Sequence, residues 1–181
     1  PRTLTTSPTS EAFLARLDPS NGNWMWVSGF EGQAHSDWSV AIEPSVSGGV
    51  YVAGNYASNS LAHDGRTLMS GWGDGGLTDA FVAEFNSTGA LLAYSSVFDP
   101  EASLEVSDLA VTTEGLVLLA GHYIGQAAYA VPNKTVNEAP GYSEGFVAAW
   151  QPVNQTWMWM ASIGGTGSDE IYSISQDGDG G

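Results

Sequence analysis

One phrase occurs three times in this chain, and it constrains the fold more than any other feature. An acid, a small residue, Phe, an aliphatic residue and Ala begin residues 11–17, 79–85 and 144–150. The Phe residues of successive copies lie 68 residues (81 − 13) and 65 residues (146 − 81) apart. Self-similarity at a nearly constant spacing is typical of repeat architectures, in which each unit buries its faces on its neighbours. The sequence therefore predicts a repeat protein.

Each repeat contains four predicted strands, which are short and rich in Val, Ile, Phe, Tyr and Trp. Clusters of Gly, Asn, Ser or Pro separate them, as is typical of strands and turns. In the first copy the predicted strands span about 11–17, 23–28, 37–43 and 49–56. Phe13, Ala15 and Leu17 share one face of the first strand, and Ala12 and Leu14 make the other face apolar as well. Because no stretch has a sustained helical period, we predict an all-β chain whose strands are buried on both faces.

Sheets that are apolar on both faces must stack, and radial stacking of four-stranded antiparallel sheets makes a β-propeller. The predicted blade repeats are about 11–78, 79–143 and 144–181, the last one incomplete. Dividing 181 residues by about 66 gives roughly 2.7 blades, whereas closed propellers usually have about 4–8. We expect a partial propeller that is a piece of a longer protein; the alternative is a ring completed by several copies. Open blade edges predict self-association.

The order of motifs resembles a known family. The repeated phrase is followed by Gly-Asn-Trp-x-Trp at 22–26, and Gly-x-Val-Tyr-Val-Ala-Gly follows at 48–54. A glycine-rich turn ending in an acid occupies 164–169, whereas Phe-Asp-Pro-Glu replaces this turn at 98–101. This order is similar to the β-propeller repeat (SBBP-type) of secreted and cell-surface proteins of bacteria and archaea. The resemblance implies the fold and an extracellular or cell-surface location, and it implies no particular activity, because propellers host unrelated functions.

The charge of the chain excludes several classes of partner. The net charge is −16, with only four Lys and Arg residues, so the basic footprint that nucleic-acid binding requires is missing. No apolar run is long enough for a spanning helix, and we expect no membrane insertion. The absence of cysteine excludes disulfides, thiol chemistry and Cys-based metal sites. The remaining candidate partners are glycans and other proteins.

Two long connectors, about 57–78 and 124–143, are the places where function would vary between repeats. The first contains Gly71–Gly76, which matches Gly-x-Gly-x-x-Gly but precedes a strand, so it lacks the helix that a dinucleotide site needs. We predict instead a ligand loop in which Trp72 stacks on a sugar and Asp74 accepts hydrogen bonds from hydroxyls. Tyr142, in the second connector, is the third predicted ligand-binding residue.

No catalytic, metal or cofactor site is predicted. His35, His63 and His122 occupy different places in their repeats, which does not favour convergence on a metal. Asp177–Gly180 resembles the start of a calcium loop, but a turn rich in Asp and Gly explains it better. A Ser-His-Asp triad stays open, because its members are neighbours in space rather than in sequence, although no Gly-x-Ser-x-Gly elbow nominates a nucleophile.

The tryptophan pairs in the second strand of each repeat invite a carbohydrate-platform interpretation. Trp24 and Trp26 recur as Trp157 and Trp159, whereas the middle copy has Leu and Tyr at these places. A position that accepts Trp, Leu or Tyr is typical of packing, so we predict that these rings lie in the core.

Together these features predict a non-catalytic binding or structural module of an exported or cell-surface microbial protein. It would recognise glycans or proteins through the loops between blades. The alternative is a fragment of a propeller enzyme, glycan-cleaving or quinone-dependent, whose active site lies mostly outside this segment. A scaffold without a ligand is a third possibility.

Overall fold

The computed structural model describes residues 10–32, 36–58, 60–70, 77–97, 102–125, 134–135 and 139–177. These residues form strands, turns and extended segments and contain no helix, so the predicted all-β class is confirmed. No helix that could cross a membrane occurs in this part of the chain. The strands are β1 (Phe13–Leu17), β2 (Trp24–Gly29), β3 (Glu31–Gly32), β4 (Asp37–Pro44), β5 (Val50–Tyr56), β6 (Ser60–His63), β7 (Arg66–Ser70), β8 (Asp79–Phe85), β9 (Leu91–Val97), β10 (Ala102–Val111), β11 (Val117–Gly125), β12 (Lys134–Thr135), β13 (Ala139–Gln151) and β14 (Thr156–Ile163).

The strands form four sheets, none of which closes on itself. The central sheet has the order β4-β5-β8-β9, and the C-terminal sheet has the order β10-β11-β13-β14 with β12 beside β14. β1 and β2 form an N-terminal hairpin, and β3, β6 and β7 form a small sheet. All pairs are antiparallel except β12 with β14. Each large sheet therefore joins the last two predicted strands of one sequence repeat to the first two of the next.

The hairpin β6–β7 lies inside the first predicted connector, 57–78, where no strand was expected. Its turn is Asp64-Gly65, and both residues have positive φ (48° and 73°). Asp-Gly between two short strands is a strong hairpin signal, because a two-residue hairpin turn requires the left-handed conformation at both positions. The residues that flank this turn have low β-propensity, so the two strands on either side of it were not predicted.

The central and C-terminal sheets stack face to face. β10 packs against β4, β5 and β8, and the buried side chains between the sheets include Val82, Leu104 and Phe146. The Asn55 side chain makes two hydrogen bonds across this interface. Its Nδ2 donates to the Val106 carbonyl at 3.0 Å, and its Oδ1 accepts from the Val106 N–H at 2.7 Å. These two bonds satisfy both backbone groups of Val106 at a point where the β10–β11 register shifts.

The opposite face of the central sheet packs against the N-terminal hairpin. Phe81 and Phe85 meet Phe30 there, with ring centroids 4.8 Å and 5.7 Å apart, and Leu14 belongs to the same core. Every residue of β8 is buried, so burial on both faces is confirmed for this strand. The same expectation is wrong for β1, where Phe13 is 54% exposed, because no described residue covers the outer face of the hairpin.

One backbone hydrogen bond recurs at three junctions. In each case the carbonyl of the residue just before the repeated phrase accepts from the N–H of a residue about 26 positions later. The three bonds are Asp37 to Ser10 (2.9 Å), Leu104 to Thr78 (2.7 Å) and Asp169 to Ser143 (2.7 Å). Corresponding sequence positions thus lie at corresponding places in successive sheets.

Candidate functional site

The three predicted ligand-binding residues have different outcomes. Trp72 and Asp74 lie outside the described residues, so their role stays a prediction. Tyr142 lies in β13 and is 54% exposed, and the next residue, Ser143, is buried. The aromatic ring of Tyr142 is therefore accessible to a ligand. Tyr142 lies near the N-terminal end of β13, and the segment that follows β14 returns to that end of the strand.

The returning segment, residues 164–177, runs over the C-terminal sheet and brings an acid and a second tyrosine close to Ser143. The Asp169 N–H donates to the Ser143 carbonyl, and Asp169 Oδ2 accepts from the Gly165 N–H at 2.7 Å. A Cβ on Gly145 would lie 2.9 Å from Ile171 Cγ1, so the glycine leaves room for this segment to settle on the sheet. We call Ser143, Asp169, Glu170 and Tyr172 the tyrosine surface; Tyr142 precedes Ser143 in β13.

Glu170 is the charged centre of the tyrosine surface. The Tyr172 hydroxyl donates to Glu170 Oε2 at 2.7 Å, and the Ser143 hydroxyl donates to Oε1 at 3.4 Å. The Tyr172 hydrogen bond, aided by attraction to His122, lowers the pKa of Glu170, and the carboxylate in turn raises the pKa of the Tyr172 hydroxyl. Glu170 is therefore ionised at neutral pH and presents acceptor oxygens beside Tyr172, which is 75% exposed.

A buried acceptor lies next to the tyrosine surface. Glu144 follows Ser143 directly and is only 5% exposed. Its Oε2 is buried without a hydrogen-bond partner, and the carboxylate lies against Gly164, where a Cβ would come within 1.8 Å of Oε2. Buried polar atoms are nearly always hydrogen-bonded, so this unpaired oxygen is unusual, but its burial closes it to a ligand from solvent.

A serine and a histidine come together elsewhere, but they do not form a catalytic triad. His63 Nδ1 lies 2.9 Å from the Gly29 carbonyl, which only accepts, so Nδ1 carries the proton; Nε2 faces the Ser28 hydroxyl at 3.4 Å. The carboxylate of Asp64 lies 3.8 Å from the same Nε2, whereas a triad acid must hold the opposite nitrogen. The imidazole is buried against the ring of Phe30. This pair is part of the packing.

Buried acids also line up across the central sheet. Asp37, Tyr56 and Asp79 are direct neighbours on three adjacent strands, and all three are buried. Burial raises the pKa of Asp37, although hydrogen bonds from Ser58 and Ala57 oppose the shift. Burial, followed by the charge of Asp79, raises the pKa of the Tyr56 hydroxyl above its usual range. The row is sealed from solvent, so it stabilises one packing arrangement rather than offering a ligand site.

No three His, Asp or Glu side chains within the described residues are arranged to hold a metal ion. His35 and residues 178–180 of the calcium-like stretch lie outside those residues. The expectation that no metal binds therefore stays a prediction for the whole chain.

The tryptophans of the second strands divide into two groups. Trp157 is buried and donates its Nε1–H to the Ser96 carbonyl at 3.0 Å, and Trp26 donates to the Ser87 carbonyl at 3.0 Å. Packing is thus confirmed for both rings. It is wrong for Trp24, which is 73% exposed, because Trp24 pairs with Leu17 on the uncovered face of the N-terminal hairpin. It is also wrong for Trp159, which is 37% exposed.

The sequence did not nominate Glu170 and Tyr172. The available signal was the acid that ends the glycine-rich turn 164–169, at the place where the first repeat has Asp37, with Glu170 directly after it. The approach of Glu170 to Ser143 depends on the path of the chain after β14, which no local pattern specifies.

Comparison with models of known protein families finds no match to this chain, and comparison with curated proteins finds none either.

Proposed function

We propose that the chain is part of a β-propeller, with the N-terminal hairpin, the central sheet and the C-terminal sheet belonging to consecutive blades. Two features support this proposal: the face-to-face stacking of the sheets and the backbone bond that recurs at three junctions. The segment would supply about 2.7 blades of a module that is exported from a microbial cell or displayed on its surface. The net charge of −16 favours solubility, because copies of the chain repel each other.

The function we propose for this module is non-catalytic recognition of a neutral glycan at the tyrosine surface. The observation that carries this proposal is the ionised carboxylate of Glu170, which accepts from the hydroxyl of Tyr172, whose ring is 75% exposed. Aromatic rings offer a flat apolar face for the C–H groups of a sugar, and carboxylate oxygens accept strong hydrogen bonds from its hydroxyls.

A binding role fits the described residues better than an enzymatic role does. The titratable side chains that come closest to a catalytic arrangement, Ser28 with His63 and Asp37 with Tyr56, are all buried in the interface between sheets. Substrates need an open, concave site, and these groups are sealed. The exposed pair of Glu170 and Tyr172 lies outside that interface, at the tyrosine surface.

The test is calorimetric titration with neutral hexasaccharides built from glucose, mannose or N-acetylglucosamine. We expect one class to bind, and we expect Tyr172→Ala and Glu170→Gln to weaken that binding by about tenfold or more, which corresponds to about 1.4 kcal/mol. Val153→Ala is the matched control, because Val153 is a highly exposed apolar residue outside this surface. Binding that none of the three substitutions alters would contradict the proposed site, and the absence of binding at millimolar sugar would contradict the proposed ligand class.

A further inference from the structure

The repeated phrase forms a strand in three places, and these strands differ in their number of partners. β8 pairs with β5 and β9, and β13 pairs with β11 and β14. In the described part of the chain, β1 pairs with β2 alone. Among those residues, β1 therefore has no neighbour that corresponds to β5 beside β8 or to β11 beside β13.

The backbone groups along the free side of β1 can be identified from two hydrogen bonds. The Ala12 carbonyl accepts from the Phe30 N–H at 2.8 Å, so Ala12 faces β2. The Phe13 carbonyl is 3.5 Å from the Ser39 hydroxyl, so Phe13 faces away from β2. Backbone groups alternate in direction along a strand, so the N–H and C=O groups of Phe13 and Ala15 lie on the side of β1 that faces away from β2, where the Phe13 carbonyl accepts from the Ser39 hydroxyl and not from another strand. We call this side the free edge of β1.

An apolar groove of about 210 Å³ runs along this edge. One wall is β1, with Phe13 and Ala15, and the other is the central sheet, with Ile42 and Val52. Phe13 and Ile42 are each 54% exposed, whereas Phe81, the counterpart of Phe13 in β8, is fully buried. The groove thus combines unpaired strand edge with uncovered apolar surface, the two features that strand addition uses.

The two buried copies define what a strand in this groove must look like. Gly54 lies opposite Phe81, and Gly121 lies opposite Phe146. A Cβ on Gly54 would come within 2.3 Å of the Trp38 carbonyl and 2.6 Å of Phe81 Cε1, so the backbone of β4 and the phenylalanine ring both leave no room for a side chain there. A Cβ on Gly121 would come within 2.0 Å of the Glu105 carbonyl. Two residues after each glycine comes a tyrosine that faces the acid of the phrase, as Tyr56 faces Asp79.

We propose that the free edge of β1 binds one extended, antiparallel protein segment that carries the pattern Val-x-(Val or Leu)-Ala-Gly-x-Tyr. β5 (Val50–Tyr56) and β11 (Val117–Tyr123) both have this pattern. The segment pairs through its backbone with Phe13 and Ala15, places its glycine under the Phe13 ring, and places its tyrosine opposite Glu11. This inference rests on strand pairing and is independent of the glycan site.

The first test is binding of a fluorescein-labelled peptide with the sequence of Val117–Tyr123 and two lysines added for solubility. The control peptide is identical except that valine replaces the glycine, so its charge is the same. We expect saturable binding of the first peptide, measured by anisotropy, and binding of the control that is weaker by about tenfold or more. Equal binding of the two peptides, or no binding of either, would overturn the proposal.

The second test assigns the edge. Ala15→Pro removes an N–H that faces the groove, and Val27→Pro removes one on the far side of the hairpin, because Ala15 and Val27 face each other as a pair. We expect Ala15→Pro to abolish binding and Val27→Pro to retain it. Should either variant fold poorly, amide hydrogen exchange on the unaltered protein decides: the peptide should protect Ala15 and leave Val27 unchanged, and protection confined to another strand would overturn the assignment.

Discussion

β8 and β1 carry the same phrase and have opposite surroundings. Phe81 in β8 lies between two sheets, packs on Phe30 and is fully buried, whereas Phe13 in β1 is more than half exposed. The two strands have similar side chains, so the difference comes from what lies beside them. Burial of the phrase is supplied by the preceding strand of its own sheet and by the preceding sheet in the stack.

The comparison shows that each strand of the repeat depends on sequence from outside its own repeat. β8 is flanked by β5, which belongs to the preceding sequence repeat, and its Phe is covered by residues of the N-terminal hairpin. Sheets in a stack of this kind are stabilised by nearest neighbours, so the residues at its ends have the weakest support.

The largest effect should come from truncating the two phenylalanines. Phe81→Ala removes a ring from a core that cannot refill the space, and we expect it to lower the free energy of unfolding by about 3–5 kcal/mol. Phe13→Ala should cost about 1 kcal/mol or less, because its ring already contacts solvent. Urea unfolding followed by tryptophan fluorescence measures both. Equal losses would contradict the claim that the two surroundings differ.

A smaller effect should follow from overpacking at the glycine opposite Phe81. In Gly54→Ala the new Cβ would lie 2.3 Å from the Trp38 carbonyl as well as against the Phe81 ring, so neighbouring atoms must shift. We expect a loss of about 1–3 kcal/mol in the free energy of unfolding. Phe81→Leu replaces the ring with a smaller side chain and should recover part of that loss in the double variant. Strictly additive effects of the two substitutions would show that the glycine and the ring do not share this space.

The smallest effect concerns pH and compares the two large sheets. Asp37 is buried beside Tyr56, whereas Leu104 occupies the corresponding place beside Tyr123. Burial, with a smaller contribution from the charge of Glu11, raises the pKa of Asp37 above its unfolded value of 3.8. Its stabilising contribution is therefore complete below 3.8 and is lost as pH rises through the higher folded value.

Asp37→Asn keeps the side chain uncharged, and we expect the free energy of unfolding to depend less on pH between about 3.5 and 7 than in the unaltered protein. Urea midpoints measured across this range test the expectation. Val153→Ala, at a highly exposed residue that has no titratable group, serves as the control and should leave the profile parallel to that of the unaltered protein. Parallel profiles for Asp37→Asn would exclude Asp37 as a source of the pH dependence.

Much of the fold could be predicted because strands and turns are local. The four strands predicted in the first repeat begin and end within two residues of β1, β2, β4 and β5. Turn glycines such as Gly48 and Gly115, with φ near +80°, separate hydrophobic runs that are visible in the sequence. The pairing of strands from different repeats was not visible, because it depends on which sheets meet in space.

The candidate site was less predictable than the fold. Tyr142 was nominated as one member of a loop, and its exposure agrees with a ligand role that stays a proposal. Glu170 and Tyr172 were not nominated, because Glu170 reaches Ser143 only through the return of residues 164–177 over the C-terminal sheet. Local sequence patterns indicate the conformation of a segment and contain little information about where that segment lies in the folded protein.

The junction bond that recurs at Ser10, Thr78 and Ser143 has a consequence for how such a chain can change length. Removing residues 79–143 in one piece would delete 65 residues (143 − 78) and place Thr78 directly before Glu144. Thr78 would then offer its carbonyl to Asp169 as Ser143 does now. Gene duplication or loss in whole units would therefore lengthen or shorten the protein without requiring any new junction to evolve.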